Sequence, residues 1–256
     1  MSIHKTAIVD KRAELADGVS VAPYAVIEAD TRIGSGTQVG PHCVIGTYTT
    51  IGKDCQIFTG AAVGSITQDK KFKGAKSFLE IGDKNIIREY ATINRGTEEG
   101  GVTKIGNENL LMAYSHVAHD CTIGDYAIIA NCGTLAGHVA IEDRAVIGGL
   151  TAVHQFVRIG KLSITGGCSK VVQDIVPFSM ADGHPARIYS TNSIGLDRVG
   201  VSDEVKSSIK KAFKIIFLMK LNLKNALKKV EEELPPSKEL SYLIEFINSS
   251  ERGISS

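Results

Sequence analysis

The sequence predicts a parallel β-helix followed by a small helical domain, and three observations carry that reading. From Leu111 to Ile159 an aliphatic residue recurs every six positions: Leu111, Val117, Ile123, Ile129, Leu135, Ile141, Ile147, Val153 and Ile159. Four positions after each stands a mostly small residue, among them Ser115, Cys121, Ala127, Gly133, Ala145 and Thr151. The same phase runs back through Ile57, Ile51, Ile45, Val39, Ile33 and Ile27 to Ile3. Six is neither the period of a helix nor that of an ordinary strand. Three hexads, each a short strand and a corner, close one triangular coil.

Taken in order, the solenoid occupies 1–185. Glycine often follows the aliphatic residue (Gly34, Gly40, Gly46, Gly52), where a corner needing left-handed dihedrals is expected. The repeat is interrupted at Asp69 and Ala75, so 66–78 reads as a loop thrown out of the coil. A second loop is read over 96–103, where Glu99 takes an aliphatic slot. Polar excursions on a rigid scaffold often carry function. The repeat fades after Ile159, and Pro177 ends it. A helical domain is read over 186–256: one helix from Val205 to Val230 after the start signal Ser202-Asp203-Glu204, then one capped by Ser237 and running to Ile247. It is placed to cover an open end or edge of the solenoid.

A net charge of +1 gives no argument for nucleic acid. The start lacks the apolar core of a signal peptide and no run reaches membrane-spanning length, so a cytoplasmic protein without membrane insertion is expected. The five cysteines form no CxxC pair, and Cys43, Cys55 and Cys121 fill small-residue slots as buried packing.

Three hexads per coil place residue n beneath n+18, about 4.8 Å away. His119 then lies under Gly137 and Gln155. Asp120 lies under His138, and His154 falls in the column on the other side. Four of the seven histidines (His116, His119, His138, His154) fall in this stretch. Histidine suits general-base work near neutrality, and an adjacent carboxylate such as Asp120 fixes its tautomer. Gly137 has no side chain to hide its N–H, as an oxyanion donor requires. The chemistry suggested is acyl transfer by direct attack, because no serine or cysteine stands out as an activated nucleophile. Ordinary surface histidines and a zinc site built from two subunits compete with this reading. Between Val205 and Val230 stand eight lysines and no acidic residue. Lys206, Lys210 and Lys214 share one helical face and Lys220, Lys224 and Lys228 another. Such a face is either simply solvated or suited to a thioester donor carried on a small acidic protein.

Strings spanning the chain resemble the cytoplasmic acyltransferases that acylate UDP-N-acetylglucosamine at the sugar 3-hydroxyl, the first step of lipid A synthesis. They are Gln68-Asp69, Ile93-Asn94-Arg95-Gly96-Thr97, Ser115-His116-Val117-Ala118-His119-Asp120-Cys121, Leu135-Ala136-Gly137-His138-Val139, Gly148 to Phe156, and Arg252-Gly253-Ile254. The resemblance implies a left-handed coil, against the usual crossover rule, and a homotrimer with active sites between subunits. It also implies acyl carrier protein as partner and no resident cofactor or metal. By position, His119 is the base and Gly137 the oxyanion donor. Gln68, Asp69, Lys71 and His116 belong to sugar binding, and His138, His154 and Gln155 to the sugar–diphosphate site. Asn192 and Arg198 would meet the nucleotide, and Ile164 and Gly167 the acyl chain, with Gly167 leaving room for a long one. The chain departs from the family at Asp197-Arg198-Val199, where adjacent basic residues are usual, and at Ile194, acidic in some members. The alternative is an N-acyltransferase acting on a 3-amino or 2-amino UDP-sugar. The relative in the same pathway carries a further N-terminal domain, whereas here the repeat starts at Ile3.

Overall fold

The computed structural model describes residues 2–256. Strands of two to four residues alternate with corners from Ser2–Ile3 to Lys170–Val171 and stack in parallel into three sheets, which number eleven, nine and eight strands once the terminal hairpin described below is included in the first. Register follows the arithmetic: His116 pairs with Thr134, Thr134 with Ala152, and Ala152 with Lys170. Across the first loop Ile57 pairs with Ile87, thirty positions on, and across the second Ile87 pairs with Leu111, twenty-four on. The loops therefore add two hexads and one hexad to the ordinary eighteen, which is why the phase survives them. Each is shorter than expected at its far end, because strands already begin at Phe78 and Val102 and pair with each other.

The aliphatic slot fills a single core running along the solenoid axis, with Ile45, Ile87, Ile93, Val117, Leu135 and Ile147 wholly buried. Each such side chain contributes about 1.5–3 kcal/mol by leaving water. Cys43, Cys55 and Cys121 lie in that core, and burial pushes all three thiols up, Cys121 to about 12. They are packing residues.

The corners correct one expectation. Gly34, Gly40, Gly46 and Gly52, which follow the aliphatic slot, are not left-handed. The left-handed residue comes two places later and is usually not glycine: His42, Tyr48, Asp54, Tyr90, Tyr114, Asp120, His138 and Phe156 all have φ between 54° and 64°. The strain, about 1–3 kcal/mol for such a residue, is opposed by a hydrogen bond down the stack, as when His138 N–H donates to His119 C=O at 3.1 Å. Gly34, Gly40, Gly46 and Gly52 serve close approach instead. A Cβ on Gly46 would lie 2.3 Å from the Gly64 carbonyl oxygen in the next coil.

At the C-terminal end, strand Ser179–Gly183 continues the eleven-stranded sheet and turns back antiparallel through Ala186–Thr191. Helices α1 (Ser193–Arg198), α2 (Asp203–Phe213), α3 (Leu223–Glu233) and α4 (Lys238–Asn248) follow. The single helix expected over 205–230 is thus two. The chain leaves α2 through a π-helical turn, Lys214–Leu218, and reverses at Lys220, whose φ is 54°. Asn222 then caps α3, its side chain accepting from Asn225 N–H. Lys220 consequently shares no helical face with Lys224 and Lys228.

The helices form a second core with Leu162, Val176 and Phe178 of the last coils. A polar joint ties them down: Glu142 accepts from Tyr242 Oη, from Lys161 N–H at 2.9 Å and from Arg158 at 3.2 Å. Buried Asp174 accepts from Arg158 N–H at 2.7 Å and Ser250 Oγ at 2.7 Å, and the tail crosses it at Ile254. The C-terminal end is closed; at the other end Ile3 and Ile8 are exposed.

Gly46→Ala should lower the melting temperature by several degrees, since overpacking against backbone costs about 1–3 kcal/mol. Gly74→Ala, with φ of +86° but nothing within 4 Å of the added carbon, should cost less. Equal melting curves for the two variants would refute the close-packing role of the corner glycines.

Candidate active site

The histidine group stands on one corner of the solenoid and is assembled by that corner. Asp120, His138 and Phe156 are successive left-handed residues of one column, so their side chains stack along the outside. Imidazole and phenyl rings of His138 and Phe156 lie parallel, centroids 4.6 Å apart. One position earlier, His119 and Gly137 form the adjoining column. His119 Nδ1 is 2.9 Å from Asp120 Oδ2, and its ring meets that of His138 edge-on at 5.2 Å. His119 packs directly on Gly137: a Cβ there would fall 2.4 Å from Cε1 and 2.6 Å from Nε2. Any other residue at 137 would displace the ring.

The N–H at this position is treated differently on different corners. On another corner each N–H at this place is taken by a side chain from the coil above: Asp83 N–H by Asn107, Asn107 by Asp125, Asp125 by Asp143. Among the described residues, Gly137 N–H has no such partner. An unclaimed donor therefore sits beside an imidazole whose far side is held by a carboxylate.

Asp120 is itself held. Burial pushes its carboxyl up, but hydrogen bonds from Thr97 and His119, with the charge of His138, outweigh that and set it below the usual carboxylate range. Thr97 donates to it twice, by Oγ1 at 2.6 Å and by N–H at 3.2 Å. Asp120 N–H donates to Thr103 Oγ1 at 2.8 Å. The carboxylate is thus ionised near neutrality and aimed at Nδ1, which leaves Nε2 of His119 to face outward as the basic atom. His116, one turn back, meets Thr92 Oγ1 at 2.7 Å. Burial, then the nearby His119, pull its pKa down, so it is neutral near pH 7.

Among the described residues, no hydrogen bond or ion pair joins the remaining predicted residues to His119. Gln68, Asp69 and Lys71 ride on the first loop, where Asp69 accepts from Lys71 N–H at 2.8 Å and its own N–H meets Thr67. That loop is fastened at its base by Asn94, which donates to Ile66 C=O at 3.0 Å, and by Arg95 N–H, which reaches Ser65 C=O at 3.0 Å. His154 contacts the Gln155 carbonyl at 3.2 Å and both are exposed. Asn192 is buried and occupied in capping: it donates to Leu162 C=O at 2.7 Å and accepts from Gly195 N–H at 2.9 Å. Arg198 and Gly167 are exposed and Ile164 is half-buried. Lys206 is engaged by Asp197 and Asp203, whereas Lys210 and Lys214 are exposed without an ion pair among the described residues.

Thr97 and Thr103 were missed by column arithmetic. Thr97 leaves the coil with the second loop, and its contact to Asp120 exists only because that loop folds back over the corner. The motif string through Thr97 was the one available signal. Metal-ligating atoms of His119, Asp120 and His138 lie within 4.8 Å of one another, so the same three side chains are also the group able to hold a cation.

Comparisons with known proteins agree over the whole chain. The family model for UDP N-acetylglucosamine O-acyltransferase domain 2 matches residues 174–255, and the bacterial transferase hexapeptide model matches 12–47 and 103–137. An acyl-[acyl-carrier-protein]–UDP-N-acetylglucosamine O-acyltransferase of Anaeromyxobacter dehalogenans is 51% identical over 255 residues, 99% of each chain. One from Thiobacillus denitrificans is 49% identical, covering 99% of this chain and 98% of the relative. Among solved structures, the UDP-N-acetylglucosamine acyltransferase of Bacteroides fragilis superposes with a TM-score of 0.97 at 41% identity over 99% of each chain. That of Moraxella catarrhalis does so at 0.95 and 39% over 100% of each.

Replacing Thr97 with Val should raise the midpoint of Asp120 carboxyl titration toward the ordinary value, followed by carbon-detected NMR. The stability this carboxylate contributes is present above the ordinary carboxylate pKa and is lost as pH falls through its lower folded value. The variant should therefore lose less of its stability on acidification. An unmoved midpoint would show that the threonine does not set the charge of Asp120.

Proposed function

Since the chain belongs to the acyl-[acyl-carrier-protein]–UDP-N-acetylglucosamine O-acyltransferase family, an acyltransferase family, we propose that it moves an (R)-3-hydroxyacyl group from acyl carrier protein to the 3-hydroxyl of UDP-N-acetylglucosamine, in lipid A synthesis. The observation that carries this is the His119–Asp120 pair packed against Gly137. His119 Nε2 takes the proton of the sugar hydroxyl as its oxygen attacks the thioester carbonyl. The Gly137 N–H donates to the oxyanion that forms. Collapse breaks the C–S bond, and the proton on His119 passes to the departing thiolate, leaving an ester and a free thiol. No acyl-enzyme is needed, because the acceptor oxygen is the nucleophile.

In this reading the active unit is a homotrimer. The histidine corner is partly exposed in one chain, and no hydrogen bond or ion pair among the described residues joins Asp69, Lys71, His154 or Arg198 to His119. A neighbouring copy would bring them in. A second corner offers a subunit contact: Tyr24, Tyr90, Tyr114 and Leu150 expose large apolar side chains along one column. Lys210 and Lys214 would meet the acidic carrier, whereas Lys206 is already neutralised by Asp197 and Asp203. Asn192 would act on the nucleotide indirectly, by fixing α1 and so Arg198.

His119→Ala should reduce transfer by about a thousandfold or more while the mass in solution stays that of a trimer. Gly137→Ala should lower kcat by about 10²–10³ with little change in KM, because the added methyl moves the base. Unimpaired turnover of either variant would remove the mechanism. Transfer should survive exhaustive chelation; its loss, with recovery on adding zinc, would reassign His119, Asp120 and His138 as metal ligands. Competition between UDP-N-acetylglucosamine and its 3-amino analogue separates ester from amide formation. Reversing the charge of Lys210 and Lys214 should raise the KM for carrier-bound donor at low ionic strength, with a short thioester unaffected.

A further inference from the structure

The elbow between α2 and α3 has a composition the reaction above does not use. Every residue from Leu218 to Asn225 is exposed. Four of these eight are large and apolar: Leu218 is 72% exposed, Met219 43%, Leu221 38% and Leu223 42%. Their neighbours Ile215, Ile216, Ala226 and Leu227 point into the helical core, so the elbow is where the domain turns its apolar residues outward. The stretch from Val205 to Val230 carries one sign of charge. Of the eight lysines between 205 and 230, Lys206, Lys228 and Lys229 are engaged by carboxylates. Lys210, Lys211, Lys214, Lys220 and Lys224 have no ion pair among the described residues, and the last three flank or lie within the apolar stretch.

We propose that this elbow is an interfacial anchor that docks the enzyme on an anionic phospholipid surface. Leu218, Met219, Leu221 and Leu223 would enter the boundary between headgroups and acyl chains, and the ammonium groups of Lys220 and Lys224, which the carrier contact above does not use, would lie among the lipid phosphates. A projecting tip of unbranched and γ-branched side chains needs a soft, shape-tolerant medium, and a collar of free ammonium groups needs a negative one; a bilayer of anionic lipid supplies both. Long lysine stems reach back from the apolar layer to the phosphates. An acidic protein would satisfy the lysines but gives no reason for four exposed apolar side chains within eight successive residues, all eight of them exposed. No helix of the described residues is long and apolar enough to cross a membrane, so the contact is shallow and reversible. It departs from the expected absence of membrane insertion only to that depth.

The chain contains no tryptophan, so Met219→Trp gives a single reporter at the tip. In the full-length protein its emission should shift to the blue on adding vesicles of phosphatidylcholine with about 30% phosphatidylglycerol, and not with phosphatidylcholine alone. Brominated acyl chains should quench it. Co-sedimentation of the unlabelled protein with the anionic vesicles should weaken about tenfold or more in Leu218→Ser/Leu221→Ser, whose sites are exposed, and comparably in Lys220→Glu/Lys224→Glu. Circular dichroism melts confirm that both variants fold. No blue shift with anionic vesicles would overturn the proposal. So would binding that ignores the leucine pair, which would leave only diffuse charge attraction. A blue shift with acyl carrier protein but not with vesicles would make the elbow a protein-docking surface and overturn it equally.

Discussion

The backbone ladder between successive coils is the constraint on which the rest depends. Each short strand of the coil has two to four residues and no tertiary structure of its own; it exists because its N–H groups are accepted one rung away, as when Ala118 donates to Leu135 at 3.1 Å. That ladder fixes the rung spacing, and the spacing dictates where residue size is tolerated. Glycine is needed where carbonyls of the next coil close in, and left-handed corners persist because their N–H groups also join the ladder. The histidine corner uses the same rules. His119 fits only because the residue above it has no Cβ, and Gly137 keeps a free N–H because no Asp or Asn overhangs it.

Much of this was legible in the chain. A repeat of six is a direct print of the fold, so the strands, the core and the meeting of His119 with Gly137 could be placed by counting. Counting stops working where the chain leaves the coil. Thr97 reaches Asp120 through a loop closure that no column relation encodes. The turn at Lys220 escaped because Lys214 to Leu218 keep an apolar spacing compatible with a continuous helix, while the break lies in one left-handed lysine followed by a capping asparagine. The glycines after the aliphatic slot were visible but their cause was not: sequence shows that a side chain is absent, and only the stacked coils show what would have collided with it. Asn192 shows a related ambiguity, since a carboxamide that caps a helix and one that meets a ligand look alike in a string.

The two parts of the molecule divide the work by rigidity. The solenoid holds a dyad and a backbone donor on a surface that is hydrogen-bonded along its whole length. The helical domain, locked to it through Glu142, Tyr242, Arg158 and Asp174, carries long, exposed, charged side chains such as Lys210, Lys214, Lys220 and Lys224. In the proposed function, chemistry would sit on the stiff element and capture on the helical one, so small errors in partner placement need not reach the reacting atoms.

The register jumps across the loops have a consequence for how such a molecule can change length. Excising residues 66–77 would return the chain at that corner to an uninterrupted count of eighteen, and excising one hexad from the second loop would do the same there. Ornament and scaffold are therefore interchangeable in units of the repeat: a hexad pushed out of the wall becomes a loop, and a loop of the right size can be reabsorbed as wall. Growth by whole repeats leaves every rung above it in step, so new functional excursions can arise without the fold ever passing through a misaligned intermediate.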